Sequence, residues 1–140
     1  MRLLDIEGTV CPVSFVHDEL FPYARQRLAG FVEARHGDPS VAAILATVAR
    51  EAGLDPDDRP ALVAILARWS DEDRKVGPLK ALQGAIWQEG YRDGTFRTPL
   101  YDDVVPALDR WRAAGEGVAV FSSGSVAAQR LLFAHTVHGD

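Results

Sequence analysis

The 140-residue chain is short of cysteine and methionine, with one of each. One thiol, Cys11, cannot close an internal disulfide, so the fold has to be held by its core, as in a reducing compartment. No residue next to Cys11 is cationic, so a buried packing thiol is expected rather than a reactive one. Long hydrophobic runs are also absent: none approaches the ~20 apolar residues of a membrane-spanning helix. The N-terminus lacks the charged, apolar and small-residue layout of a secretion signal, and a cytoplasmic location is expected. Basic charge is in deficit, with fifteen Lys and Arg against twenty Asp and Glu and a formal net charge of -5. Without a basic stripe, a nucleic-acid partner is not expected. Repeats and low-complexity linkers are missing too. What remains, 47% hydrophobic and 25% charged residues, suits one ordinary globular domain.

Two short segments stand out. The first is Asp5-Ile6-Glu7-Gly8-Thr9, directly after the apolar Leu3-Leu4. Aspartate is poor in strands and costly to bury unpaired, so an acid at the end of a buried strand needs a reason. A second acid two residues on, and a glycine that turns without steric cost, make a chemical reason attractive. The plain alternative is a strand-ending Asp that caps a turn. The second segment is Val118-Ala119-Val120-Phe121, which reads as a buried strand, followed by Ser122-Ser123-Gly124-Ser125 and a helix over Val126–Phe133. Small hydroxyls and a glycine between a strand and a helix N-terminus can cradle phosphate with outward N–H groups. The plain alternative is that Ser125 is an N-cap. Taken singly, both segments leave both readings open.

Between these segments the spacing is helical. Ser14 is placed to cap a helix through Val16 and Leu20, and Pro22 suits the first turn of a second one that stops near Gly37. Ser40 precedes a helical pattern from Val41 that ends at Gly53. Pro60 and Pro78 open two more helices, and Asp93-Gly94 is a turn. Asp102 or Asp103 caps a helix closed by Gly115, the natural crossover between two parallel strands. Trp69, Trp87 and Trp111 fall at apolar helical positions and are expected in the core. Arg25 and Arg27 are expected on the solvated surface. His135 and His138, three apart, read as surface rather than as a metal pair.

Taken together, these features resemble the enolase-phosphatase (acireductone synthase) family of methionine salvage, within the haloacid dehalogenase-like superfamily. The resemblance rests on Leu4-Asp5-Ile6-Glu7-Gly8-Thr9, Phe21-Pro22-Tyr23-Ala24-Arg25, Leu79-Lys80-Ala81-Leu82-Gln83-Gly84 with Trp87, and Tyr101-Asp102-Asp103-Val104-Val105-Pro106 with Trp111. It continues through Ser122-Ser123-Gly124-Ser125 to Phe133. It implies an α/β fold: part of a Rossmannoid core of parallel strands, with a helical cap inserted after the first strand. Residues 1–12 and 100–140 would be partial catalytic core and 13–99 the cap.

The resemblance also implies roles. Asp5 would be the nucleophile that forms an aspartyl-phosphate. Glu7 would be the acid that protonates the leaving oxygen and the base that activates water. Ser122, Ser123 and the N–H of Gly124 would hold the phosphoryl oxygens. Mg2+ would be held by the Asp5 carboxylate and the Glu7 main-chain carbonyl. The substrate would be a small phosphorylated molecule, a 2,3-diketo-5-methylthiopentyl-1-phosphate, enolised and dephosphorylated to an acireductone. The complete protein would be a monomer. The family's phosphate-binding lysine and remaining magnesium acids have no counterpart before Asp140. The chain is therefore expected to be a fragment, inactive or weakly active by itself. Two alternatives stand beside this reading: another superfamily member acting on sugar phosphates, and a non-catalytic remnant that binds a partner.

Overall fold

In a computed structural model, which describes residues 1–139, the two strand-forming segments meet. β1 (Arg2–Leu4) pairs in parallel with β2 (Val118–Val120), with Arg2 opposite Val118, Leu3 opposite Ala119 and Leu4 opposite Val120. A π-helical segment, Phe15–Leu20, follows β1, and then come α1 (Phe21–Arg35), α2 (Pro39–Ala52), α3 (Arg59–Asp71) and α4 (Gly77–Arg92). The order closes with α5 (Val104–Ala113), β2 and α6 (Val126–Ala134). Mixed helix and parallel strand make this an α/β protein, as expected. No helix among the described residues is long and apolar enough to cross a membrane.

The chain divides into two compact units, Met1–Leu20 with Gly90–Asp140, and Phe21–Glu89. The second unit is helical. Its core is made by Val32, Val48, Leu62, Leu66 and Leu82, each fully buried. Burying a side chain of this size contributes about 1.5–3 kcal/mol. Asp58 caps α3 by accepting the Ala61 amide at 3.2 Å, with Pro60 in the first turn. Gly53 ends α2 in the left-handed region at φ 67°, its N–H donating to Ala49 O. α2 starts ahead of the pattern from Val41: Asp38 holds its N-cap position and Pro39 opens it, so Ser40 lies inside the first turn. Arg25 forms a two-point ion pair with Asp71 at 2.8 and 3.2 Å. That contact holds the exposed Asp71 carboxyl below its ordinary pKa and pushes the guanidinium up. Arg27 lies over the Tyr23 ring at 3.8 Å.

The first unit carries both strands, and here two expectations change. Ser14 does not cap a helix, because it is itself helical and the chain is already turning at Val13. Neither strand is buried. Leu3 is 68% exposed, Val118 38% and Val120 37%, and Phe121, one residue on, is 70% exposed. A sheet of two strands consists only of edges, so apolar composition does not translate into burial. All nine exposed large hydrophobic side chains among the described residues belong to this unit. Of the tryptophans, Trp69 is buried, while Trp87 and Trp111 are half-buried. Trp111 carries the Arg2 guanidinium 4.8 Å over its ring, and Arg2 also pairs with Glu116 at 2.8 Å.

Candidate functional site

The acidic loop is built on three buried pegs. Ile6, Val10 and Cys11 are each 2% exposed or less, whereas Asp5, Glu7, Gly8 and Thr9 face solvent. The carbonyl of Ile6 accepts the amides of Thr9 at 3.2 Å, Val10 at 2.8 Å and Cys11 at 3.2 Å. Gly8 donates to Cys11 O at 2.8 Å from the left-handed region, φ 79°, which an L side chain adopts only with strain. The out-in-out order Asp5, Ile6, Glu7 keeps strand alternation past the end of β1, so both acids share the exposed side. Asp5 Oδ1 accepts the amide of Ile6 at 2.9 Å, which fixes one face of that carboxylate. Cys11, fully buried, has its thiol pushed up to about 11, first by burial and then by the charge of Glu7. It is a packing thiol, as its sequence context suggests.

The serine loop leaves the neighbouring strand. Phe121 N donates to Leu4 O at 2.8 Å, carrying the register one step beyond the strands. Phe121 therefore stands level with Asp5, and Ser122 follows it. In a parallel pair, both loops emerge at the carboxyl ends of their strands, the place where open α/β sheets bind ligands. Ser122 is half-buried, while Ser123 and Gly124 are exposed. The Gly124 amide donates to Ser122 Oγ at 3.1 Å, so an anion drawn to that amide exchanges with an internal bond. Ser125 is the N-cap of α6, its Oγ accepting the Ala128 amide at 3.1 Å. Gln129 Nε2 closes the loop from the helix side on Gly124 O at 2.9 Å. The positive end of α6 thus faces the same loop.

With respect to a divalent ion, the described residues fall short. No three His, Cys, Asp or Glu side chains converge among them. Asp5 and Glu7 offer two exposed carboxylates and the carbonyls near them, whereas magnesium demands near-octahedral oxygen coordination. These residues alone do not make a magnesium site.

No protein-family model matches the chain. Curated relatives do. It is 57% identical over 139 residues to the enolase-phosphatase E1 of Gluconacetobacter diazotrophicus, covering 99% of this chain and 57% of that protein. It is 54% identical over 138 residues to the enolase-phosphatase E1 of Methylococcus capsulatus, covering 99% of this chain and 61% of that protein. By sequence, the chain is similar to enolase-phosphatases over nearly its whole length. It spans between 57% and 61% of the length of these two relatives. A crystal structure of the UTR4 protein of Saccharomyces cerevisiae superposes with a TM-score of 0.78 at 37% identity, covering 97% of this chain and 56% of that one. The fold fits the α/β core of haloacid dehalogenase-like proteins.

One cluster is not apparent from the sequence. His135, expected at the surface, is half-buried and stacks on the ring of Tyr91, with centroids 5.2 Å apart and planes 28° apart. Tyr91 and Thr98 are 4% and 2% exposed, and their hydroxyls share a hydrogen bond of 2.8 Å. Burial pushes the Tyr91 phenol up to about 12, against the opposing pull of the Thr98 hydrogen bond. A signal existed in Tyr91, an apolar helix position with a hydroxyl that needs a partner when buried. Its partner, Thr98, lies beyond the end of α4 at Arg92, so the helical pattern does not point to it.

Proposed function

We propose that the protein is the enolase-phosphatase of methionine salvage, or the part of it that carries the nucleophile. Its substrate would be 2,3-diketo-5-methylthiopentyl-1-phosphate and its products an acireductone and phosphate. The reading is supported above all by the placement of Asp5 and Ser122 after adjacent parallel strands, joined by the Phe121 N–H to Leu4 O bond. The unit containing both loops would be catalytic core and the helical unit, Phe21–Glu89, its cap.

In the proposed reaction an Asp5 oxygen attacks phosphorus and forms an acyl-phosphate while the bond to the substrate oxygen breaks. Glu7 gives its proton to that leaving oxygen. It then takes a proton from water, which attacks phosphorus, breaks the Asp5–phosphorus bond and releases phosphate. Ser122, Ser123 and the Gly124 N–H hold the phosphoryl oxygens and stabilise the charge that spreads over them. The ion is proposed to be Mg2+, with the Asp5 carboxylate and the Glu7 carbonyl as two of its oxygens, and when bound it would neutralise phosphoryl charge. The working form is proposed to be a cytoplasmic monomer.

In a protein of family length that carries this chain, Asp5→Asn abolishes phosphate release, because an amide forms no acyl-phosphate. Near-normal turnover of that variant would end the covalent mechanism.

A second reading concerns the 140 residues by themselves. Two carboxylates and an exposed apolar sheet favour weak magnesium binding, little phosphate release and association with a partner that covers the strands. Magnesium-dependent turnover comparable to a family member, by a monodisperse 140-residue chain, would remove this reading.

A further inference from the structure

The helix that carries the serine loop has an unusual hold. α6 has no fully buried residue: Leu131, Leu132 and Phe133 are only half-buried, and Val126 at its start is 65% exposed. Burial of an apolar stripe is what normally fixes a helix of this length, since nine residues are too few to be stable by propensity. Immediately beyond its last turn the chain is pinned instead. The His135 carbonyl accepts the Thr98 amide at 2.9 Å, and Val137 N donates to Thr98 O at 3.0 Å, forming a short parallel bridge between Thr98 and Thr136. Thr136 is 4% exposed, and the His135 Nδ1 lies 3.2 Å from Leu131 O. Thr98 is itself locked by the Tyr91 hydroxyl, and Tyr91 stands edge-on to Phe96 at 4.5 Å.

We propose that Tyr91, Thr98 and His135 are positioning residues, an anchor at the C-terminal end of α6 that sets the place of the Ser122–Ser125 loop at its other end. The lever is short: nine residues at 1.5 Å each put the loop ~14 Å from the anchor. Ser125 caps the helix and Gln129 ties the Gly124 carbonyl to it, so a tilt of α6 carries the loop along. The anchor touches no phosphate. Its effect on a ligand passes through the direction of the helix, and the part that concerns phosphate rests on the proposed function above.

Two measurements on the whole chain separate the anchor from that function. In the first, amide hydrogen exchange is compared for wild type, His135→Ala, His135→Phe and Val137→Pro. His135→Ala removes the stacked ring. His135→Phe restores it. Val137→Pro deletes one donor at a side chain that is 52% exposed, with little loss of packing. Exchange at the Ala128 and Gln129 amides rises about tenfold in His135→Ala and Val137→Pro, with protection in Phe21–Glu89 unchanged and His135→Phe close to wild type. Unchanged exchange at Ala128 and Gln129 in both disruptive variants overturns the anchor, and so does equal loosening throughout the chain. In the second measurement, orthophosphate is titrated calorimetrically. His135→Ala weakens it about threefold or more and His135→Phe restores it. Absence of phosphate binding in the wild type would count against the proposed function and leave the exchange result to decide the anchor.

Discussion

Replacing Gly8 by alanine tests the acidic loop most sharply, because the structure separates two penalties there. The first is backbone. Gly8 sits at φ 79°, and a left-handed residue with a Cβ costs about 1–2 kcal/mol. The second is contact. A Cβ on Gly8 would come to 3.3 Å from Val13 Cγ2, a few tenths of an ångström too close. Val13 is 41% exposed and can give way, so the contact adds little. Gly8→Ala should therefore lower stability by about 1–2 kcal/mol, read from urea denaturation at fixed slope. Gly8→Asn should lose less, because asparagine tolerates the left-handed region while its Cβ meets Val13 in the same way. The double change Gly8→Ala with Val13→Ala removes the contact and should recover only the smaller part. Gly30→Ala is the control. That glycine lies inside α1 with open space around its Cβ position, and the change should stabilise by about 0.5–1 kcal/mol. If Gly8→Ala matched wild type to within about 0.3 kcal/mol, the turn that presents Asp5 and Glu7 would not have the conformation described.

Other outcomes follow from named contacts. Asp58→Ala should cost about 1 kcal/mol through the lost Ala61 cap, and Asp38→Ala less, since Asp38 makes no side-chain cap bond; thermal unfolding of both decides this. Cys11 should resist alkylation at pH 8 in the native chain and react quickly in urea, because burial and Glu7 hold its thiol up near 11; rapid native labelling at pH 8 would contradict its burial. Tyr91 ionises near 12 in the native chain and at about 10 when unfolded, so it contributes stability that is intact below pH 10 and lost as pH rises toward 12. Tyr91→Phe should flatten that alkaline loss, and an unchanged profile would place the phenol in solvent.

The sequence made the parts legible where local chemistry decides them. Gly53 and Gly115 end helices in the left-handed conformation that glycine alone adopts freely, Pro60 and Pro78 open helices, and Ser125 caps α6. Cys11 is a buried thiol, in keeping with the lack of a cationic neighbour in the sequence. The misreadings arose where tertiary context decides. An apolar Val-Ala-Val run is buried only if something covers it, and spacing does not say whether anything does. α2 begins ahead of the apolar pattern from Val41 because Pro39 fixes the first turn. The sequence alone points His135 to the surface because its partners, Tyr91 and Thr98, are distant in sequence and meet it only through the fold.

The central claim is that the Ser122–Ser125 loop, beside Asp5, binds a phosphoryl group. The direct measurement is a titration of orthophosphate into isotope-labelled chain, following backbone amide resonances. The account predicts saturable shifts at Ser123 and Gly124, with smaller ones at Ile6 and Glu7. It also predicts their loss in the double variant Ser122→Ala with Ser123→Ala, each lost charge-assisted bond being worth about 1.5–3 kcal/mol. Shifts confined to other surfaces, or an affinity unchanged in the double variant, would contradict it.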